Sequence, residues 1–92
     1  MVRASARHIL VADEKSCLDL KQKIEGGADF AALAKQHSQC PSGRQGGSLG
    51  EFGQGQMVPE FDRVVFSGDL GVVHGPIKTQ FGYHLLEIQS RK

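Results

Sequence analysis

GGSLGEFGQGQMVPEFDRVVF, residues 46–66, sets the pattern for the whole chain. Ser48 to Phe52 is short and bounded by glycines, which suits a brief strand. Pro59 suits the first turn of a helix, because the N–H it lacks would have no intrahelical acceptor there. Phe61, Val64 and Val65 give that helix an inward stripe, and Gly68 is a plausible end. A glycine-rich strand therefore delivers Met57 and Phe61 to the edge of a short helix. Five glycines, Gly46, Gly47, Gly50, Gly53 and Gly55, let the backbone turn at positive φ and pass close to a ligand.

Upstream, Arg3 to Val11 places Ala6, His8 and Leu10 on one face and Arg7, Ile9 and Val11 on the other, as a central strand covered on both sides would. From Glu14 to Glu25 the positions of Cys17, Leu20 and Ile24 make one helical stripe, stopped by Gly26 and Gly27. Asp29 caps a second helix whose buried stripe is expected to hold Phe30, Leu33, Ala34 and His37. Pro41, Ser42 and Gly43 break that pattern into a loop or a single short turn. Downstream, Val72 to Thr79 reads as a strand that Gly75 and Pro76 confine to an edge or a bulge. After a tight connection at Gln80, Phe81 and Gly82, Tyr83 to Gln89 alternates cleanly, with His84, Leu86 and Ile88 on one side. Strands at both ends with helices between them argue an α+β domain built on one sheet.

A chain of 92 residues has material for one core, so residues 1–92 are expected to form a single domain. Apolar residues at 39% and charged residues at 23% fit an ordinary globule and speak against disorder. The formal charge of +1 gives no long-range field for a polyanion, so nucleic acid is not an expected partner. The early apolar run from Ile9 to Ala12 is too short for a signal-peptide core or a membrane span, and Asp13 and Glu14 close it. The expectation is a cytoplasmic protein with no membrane association. Cys17 and Cys40 fall in a helix and a loop, and reduced thiols are expected for both. A monomer is the default for a domain without a spare apolar face.

The flanks of the glycine-rich stretch point to function. His8 sits in the run HILV and His84 in FGYHLLEI, with a thiol, Cys40, just ahead of the glycines. With GQGQMVPEF, these features resemble the parvulin family of peptidyl-prolyl cis/trans isomerases across nearly the whole chain, from about Ala4 to Arg91. The resemblance implies a four-stranded antiparallel sheet surrounded by four helices, in the order β, three α, β, α, β, β. It also implies that the first and last strands are neighbours, which would let the two buried imidazoles satisfy each other. From periodicity alone, His8 and His84 read first as core residues that hold two strands in register; the surrounding motifs turn that reading toward a site.

The resemblance assigns His8, Cys40, His84 and Thr79 to the catalytic centre. Cys40 would sit near the carbonyl of the residue before proline, and Thr79 would support the histidine pair. A thiol beside two imidazoles invites a nucleophilic role, but rotation about an amide needs no covalent intermediate, so the non-covalent mechanism is favoured. Leu49, Met57, Phe61 and Phe81 would form the proline pocket, where thioether and aromatic rings close around three methylenes. Burying those methylenes contributes on the order of 2 kcal/mol toward fixing one side of the bond. The expected partners are proline-containing peptides and folding protein chains. The rival reading is a peptide-binding or chaperone module with the same groove and no catalysis.

Two other chemistries fit poorly. The glycines lack the G-x-x-x-x-G-K-[ST] pattern of a phosphate loop. His8, Cys40 and His84 are competent zinc ligands, but there is no C-x-x-C and no H-x-x-x-H, so neither metal nor cofactor is expected. Phospho-dependent parvulins carry a long basic loop after the first strand. Here that segment is only Val11, Ala12, Asp13, Glu14 and Lys15, which argues for a neutral, unphosphorylated residue before proline.

Overall fold

The computed structural model describes residues 3–91; Met1, Val2 and Lys92 of the expected 1–92 domain lie outside the described residues. The elements run β1 (Arg3–Val11), α1 (Glu14–Glu25), α2 (Phe30–His37), a 3-10 turn (Pro41–Gln45), β2 (Ser48–Gly53), α3 (Pro59–Val65), β3 (Val73–Thr79) and β4 (Gly82–Arg91). The strands form one antiparallel sheet in the order β2-β1-β4-β3, so β1 and β4 are central and adjacent.

The expected four helices are three helices and a 3-10 turn. Pro41 opens that turn, and Gly46 closes it in the left-handed region at φ 71°. A five-residue segment with a proline at one end and left-handed backbone at the other has no room for α-helical hydrogen bonding. Its backbone instead closes on itself, with Gly43 N–H donating to the Cys40 carbonyl at 2.9 Å.

Alternation along β1 and β4 feeds two cores, one on each face of the sheet. Ile9, Val11 and Leu85 pack with Cys17 and Leu20 of α1 and Phe30 and Leu33 of α2. Ala4, Ala6 and Leu86 pack with Phe52 of β2 and Phe61 and Val65 of α3. His8 and His84 lie on this second face, in phase with Ala6 and Leu86. Asp13 and Asp29 cap α1 and α2, accepting from the backbone N–H of Ser16 at 2.9 Å and of Ala32 at 3.1 Å.

His37 departs from expectation. It is the last residue of an eight-residue helix and is exposed, because Phe30, Leu33 and Ala34 already fill the face toward the sheet. As the proline and glycine implied, β3 is an edge strand, and its register slips between His74 and Ile77 around a cis Gly75–Pro76 bond.

Candidate active site

The site is assembled on the α3 face of the two central strands. His8 pairs across the ladder with Leu86, and His84 with Leu10, so the two rings are diagonal rather than opposite neighbours. Their planes are nearly parallel, at 14°, with centroids 5.3 Å apart and the two Nδ1 atoms at 3.2 Å. Phe61 reaches up from α3 and stands edge-on to both, 5.4 Å from the His8 ring and 4.5 Å from that of His84. Exposure is 4% for His8 and 3% for His84, so each ring nitrogen must find its partner within the protein.

Each does. Thr79 Oγ1 lies 2.7 Å from His84 Nε2, and Ser42 Oγ lies 3.0 Å from His8 Nε2. Ser42 in turn donates its hydroxyl to Cys40 Sγ at 3.3 Å, and Thr79 Oγ1 accepts the Phe81 N–H at 3.1 Å. The Ser42 hydroxyl, donating to Cys40, sets one proton order along the chain. With its single proton on Cys40, Ser42 must accept from His8 Nε2–H, which leaves His8 Nδ1 to accept from His84 Nδ1–H. His84 Nε2 then accepts the Thr79 O–H. The reverse order leaves the buried Thr79 hydroxyl proton with no acceptor among the described residues, whereas the first order leaves only the half-buried Cys40 S–H without one. A directed chain thus runs from Thr79 through both imidazoles and Ser42 to the thiol.

Both histidines are held neutral. Burial lowers His8 from 6.5 to about 4, helped by repulsion from His84, and burial alone lowers His84 to about 4. Neither carries a proton charge at neutral pH, so the floor of the site is an uncharged hydrogen-bonded layer.

Above it opens a cleft of about 340 Å³ with an almost wholly apolar lining. Met57, Val58 and Phe61 form one wall, Leu49 and Leu10 come from the sheet, and Phe81 stands at the rim, 61% exposed. Cys40 and Pro41 close the other side, and His8 and His84 both reach the cavity. Seven of the eight residues singled out from the sequence meet in this one cleft. The eighth, Thr79, stands behind His84 without lining it. Among the described residues no three His, Cys, Asp or Glu groups are arranged to hold a metal ion.

Ser42 is the residue sequence reading overlooked. It looked like a breaker of the helical pattern, yet it is the link between His8 and Cys40. A hydroxyl two positions after a candidate thiol, at the start of a tight turn, was the available signal. Cys17, by contrast, has no part in the site: it is fully buried in the opposite core, and desolvation pushes its thiol up to about 11.

An antiparallel sheet that carries a buried, neutral histidine pair beneath an apolar cleft is the arrangement that the resemblance to peptidyl-prolyl isomerases of parvulin type implied. The chain belongs to that family: residues 8–90 match the rotamase family model described as the PPIC-type PPIase domain. It is 53% identical over 86 residues to the foldase protein PrsA of Caldanaerobacter subterraneus subsp. tengcongensis, covering 92% of this chain and 28% of that protein. The crystal structure of PrsA from Bacillus anthracis superposes with a TM-score of 0.95 at 38% identity, over 99% of this chain and 42% of that one. NmPin, the parvulin of Nitrosopumilus maritimus, matches over 98% of both chains with a TM-score of 0.88 and 34% identity. The chain spans about three tenths of the length of the curated relatives it matches.

Proposed function

We propose that this chain is a peptidyl-prolyl cis/trans isomerase domain that assists protein folding, acts on unphosphorylated X-Pro bonds and works without a covalent intermediate. The observation that carries this reading is the apolar cleft floored by two neutral, mutually hydrogen-bonded imidazoles.

The X-Pro amide resists rotation by about 18 to 20 kcal/mol because resonance gives the C–N bond partial double character. A ten-thousandfold acceleration removes roughly 5.4 kcal/mol of that barrier. At the twisted geometry the carbonyl is less charge-separated, so an apolar and uncharged enclosure favours it over the planar ground state. Met57, Phe61, Leu49 and Phe81 hold the pyrrolidine ring, which leaves the acyl group to swing. Cys40 faces the acyl side, its sulfur polarised by the Ser42 hydroxyl. Thr79 and Ser42 are positioning residues: they hold the two rings in place and in one tautomeric state.

Independence from phosphate is supported by the β1–α1 connection, which is only Ala12 and Asp13, with the Asp13 carboxylate committed to capping α1. A monomeric state and a cytoplasmic setting belong to the same proposal. The free thiols of Cys17 and Cys40 are consistent with a reducing compartment, and cell fractionation tests the location. Client chains are expected among folding proteins, in keeping with the word foldase in the names of its relatives.

Exchange NMR on short X-Pro peptides tests the activity. Cis/trans exchange accelerated by substoichiometric protein, equally for phosphorylated and unphosphorylated peptides, is the expected result. Shifts that report binding without acceleration would instead define a peptide-binding module.

A further inference from the structure

Two cations stand at the thiol end of the cleft. Lys35, in the last turn of α2, and Arg44, in the 3-10 turn, are both exposed, and among the described residues neither is in an ion pair. A hollow of about 560 Å³ has both in its wall and shares Gln39, Cys40 and Pro41 with the catalytic cleft. No carboxylate lines it. A smaller hollow that carries Glu60 shares Val58 with the cleft. The cleft is therefore flanked by a cationic hollow on the Cys40 side and by a hollow carrying Glu60 next to Val58.

A substrate peptide is longer than its proline and has to leave the cleft at both ends. An extended chain advances about 3.3 Å per residue, so two to four residues carry it roughly 7 to 13 Å, far enough to cross a hollow of this size. We propose that the Lys35–Arg44 hollow is a client subsite selecting an acidic side chain, Asp or Glu, two to four residues N-terminal to the proline, on the side of the bond that faces Cys40. This rests on the isomerase reading for the direction of the peptide. Lysine in the last turn of α2 also complements the helix dipole, but that role does not call for Arg44 beside it. Exposed pairs are individually weak and screened by salt, so the subsite biases client choice and is not a requirement for turnover.

The test compares a neutral X-Pro peptide with versions carrying one Glu two, three or four residues before or after the proline, using exchange NMR with the whole chain. At about 50 mM salt, Glu at one or more positions on the N-terminal side should raise kcat/KM roughly three- to tenfold over the neutral peptide, and the gain should vanish by about 500 mM. Glu on the C-terminal side should give no gain. In the double variant Lys35→Glu/Arg44→Glu the acidic-to-neutral ratio should fall to one or below. Because the readout is a ratio within each protein, partial loss of folded material cancels. A ratio of one at every N-terminal position, an equal gain on both sides, or a gain that survives in the double variant would overturn the subsite. If no peptide is accelerated at all, the isomerase reading fails separately. Amide shifts of Lys35 and Arg44 on adding acidic and neutral peptides then decide the subsite: selective shifts with the acidic peptides uphold it, and identical shifts overturn it.

Discussion

Acidification should destabilise this domain through its two buried histidines, His8 and His84, before most of its carboxylates are protonated. His8 and His84 titrate near 6.5 in an unfolded chain and at about 4 in the fold, so between these values the unfolded state binds more protons and stability falls as pH falls. Above pH 6.5 both states are neutral at these rings and the full stability is present; below about pH 4 both are protonated and the loss is complete. For one ring the linkage amounts to about 1.4 kcal/mol at pH 5.5 and about 2.5 kcal/mol at pH 4.5, or about twice that for the pair taken as independent. Against a net stability of roughly 5 to 15 kcal/mol, that is a large fraction. Asp13, lowered by its Ser16 hydrogen bonds, loses its contribution only below the usual carboxylate range, so it does not contaminate this window. Urea titrations followed by circular dichroism at pH 7.5, 6.5 and 5.5 provide the assay. With a slope of about 1 kcal/mol per molar for a chain this small, the midpoint should drop by roughly 3 M between the first and last. An unchanged midpoint, or ring resonances that titrate near pH 6.5 in the folded protein, would refute the claim that the pair is buried and neutral.

Three substitutions test the architecture around that pair. Gly47→Ala places a methyl 2.3 Å from the His8 carbonyl oxygen at a backbone φ of +85°; the strain alone should cost at least about 2 kcal/mol and lower Tm by roughly 8 °C or more, and a melting temperature within about 2 °C of the parent would show that β1 yields freely. Thr79→Val removes the partner of His84 Nε2 and of the Phe81 N–H; about 1 to 3 kcal/mol of stability should go with it, and nitrogen NMR should show His84 losing its single Nδ1–H tautomer, whereas an unchanged tautomer would contradict the proposed proton order. In Cys40→Ser, exchange catalysis should persist within about tenfold, since no bond to sulfur forms; a folded but wholly inactive variant would require a role for the thiol beyond polarity.

Much of the fold was legible because its signals are local. The alternation of Tyr83 to Gln89, the Asp29 cap and the Pro59 helix start depend on neighbours within one or two turns of chain, and each element stands where these signals put it. The burial of His8 and His84 was equally visible from their phase with aliphatic residues. What remained hidden depends on register and on meetings between distant segments. That the rings are diagonal follows from His8 pairing with Leu86 and His84 with Leu10, which no periodicity specifies. Ser42 joins the chain only because the 3-10 turn folds over β1, and Lys35 meets Arg44 only because α2 and that turn share a hollow. His37 was misplaced for a simpler reason: a stripe extrapolated past the point where three core residues, Phe30, Leu33 and Ala34, already close the face continues into solvent.

Gly47 shows how the scaffold and the chemistry depend on the same atoms. The glycine-rich stretch looked like backbone made flexible for a ligand, but Gly47 packs against the protein's own first strand, its carbonyl accepting the His8 N–H at 2.9 Å. That contact pins β1 at the residue whose ring carries the site, while the same ring contacts His84, Ser42 and Phe61. His8 is therefore fixed by backbone from one side and by side chains from three others. An uncharged, apolar floor solvates the polar planar amide less well than the less polar twisted one, and a floor that does not rearrange would keep that difference throughout the rotation. Loosening it at Gly47 should consequently depress turnover more than peptide binding, which requires only the walls formed by Met57, Phe61 and Leu49.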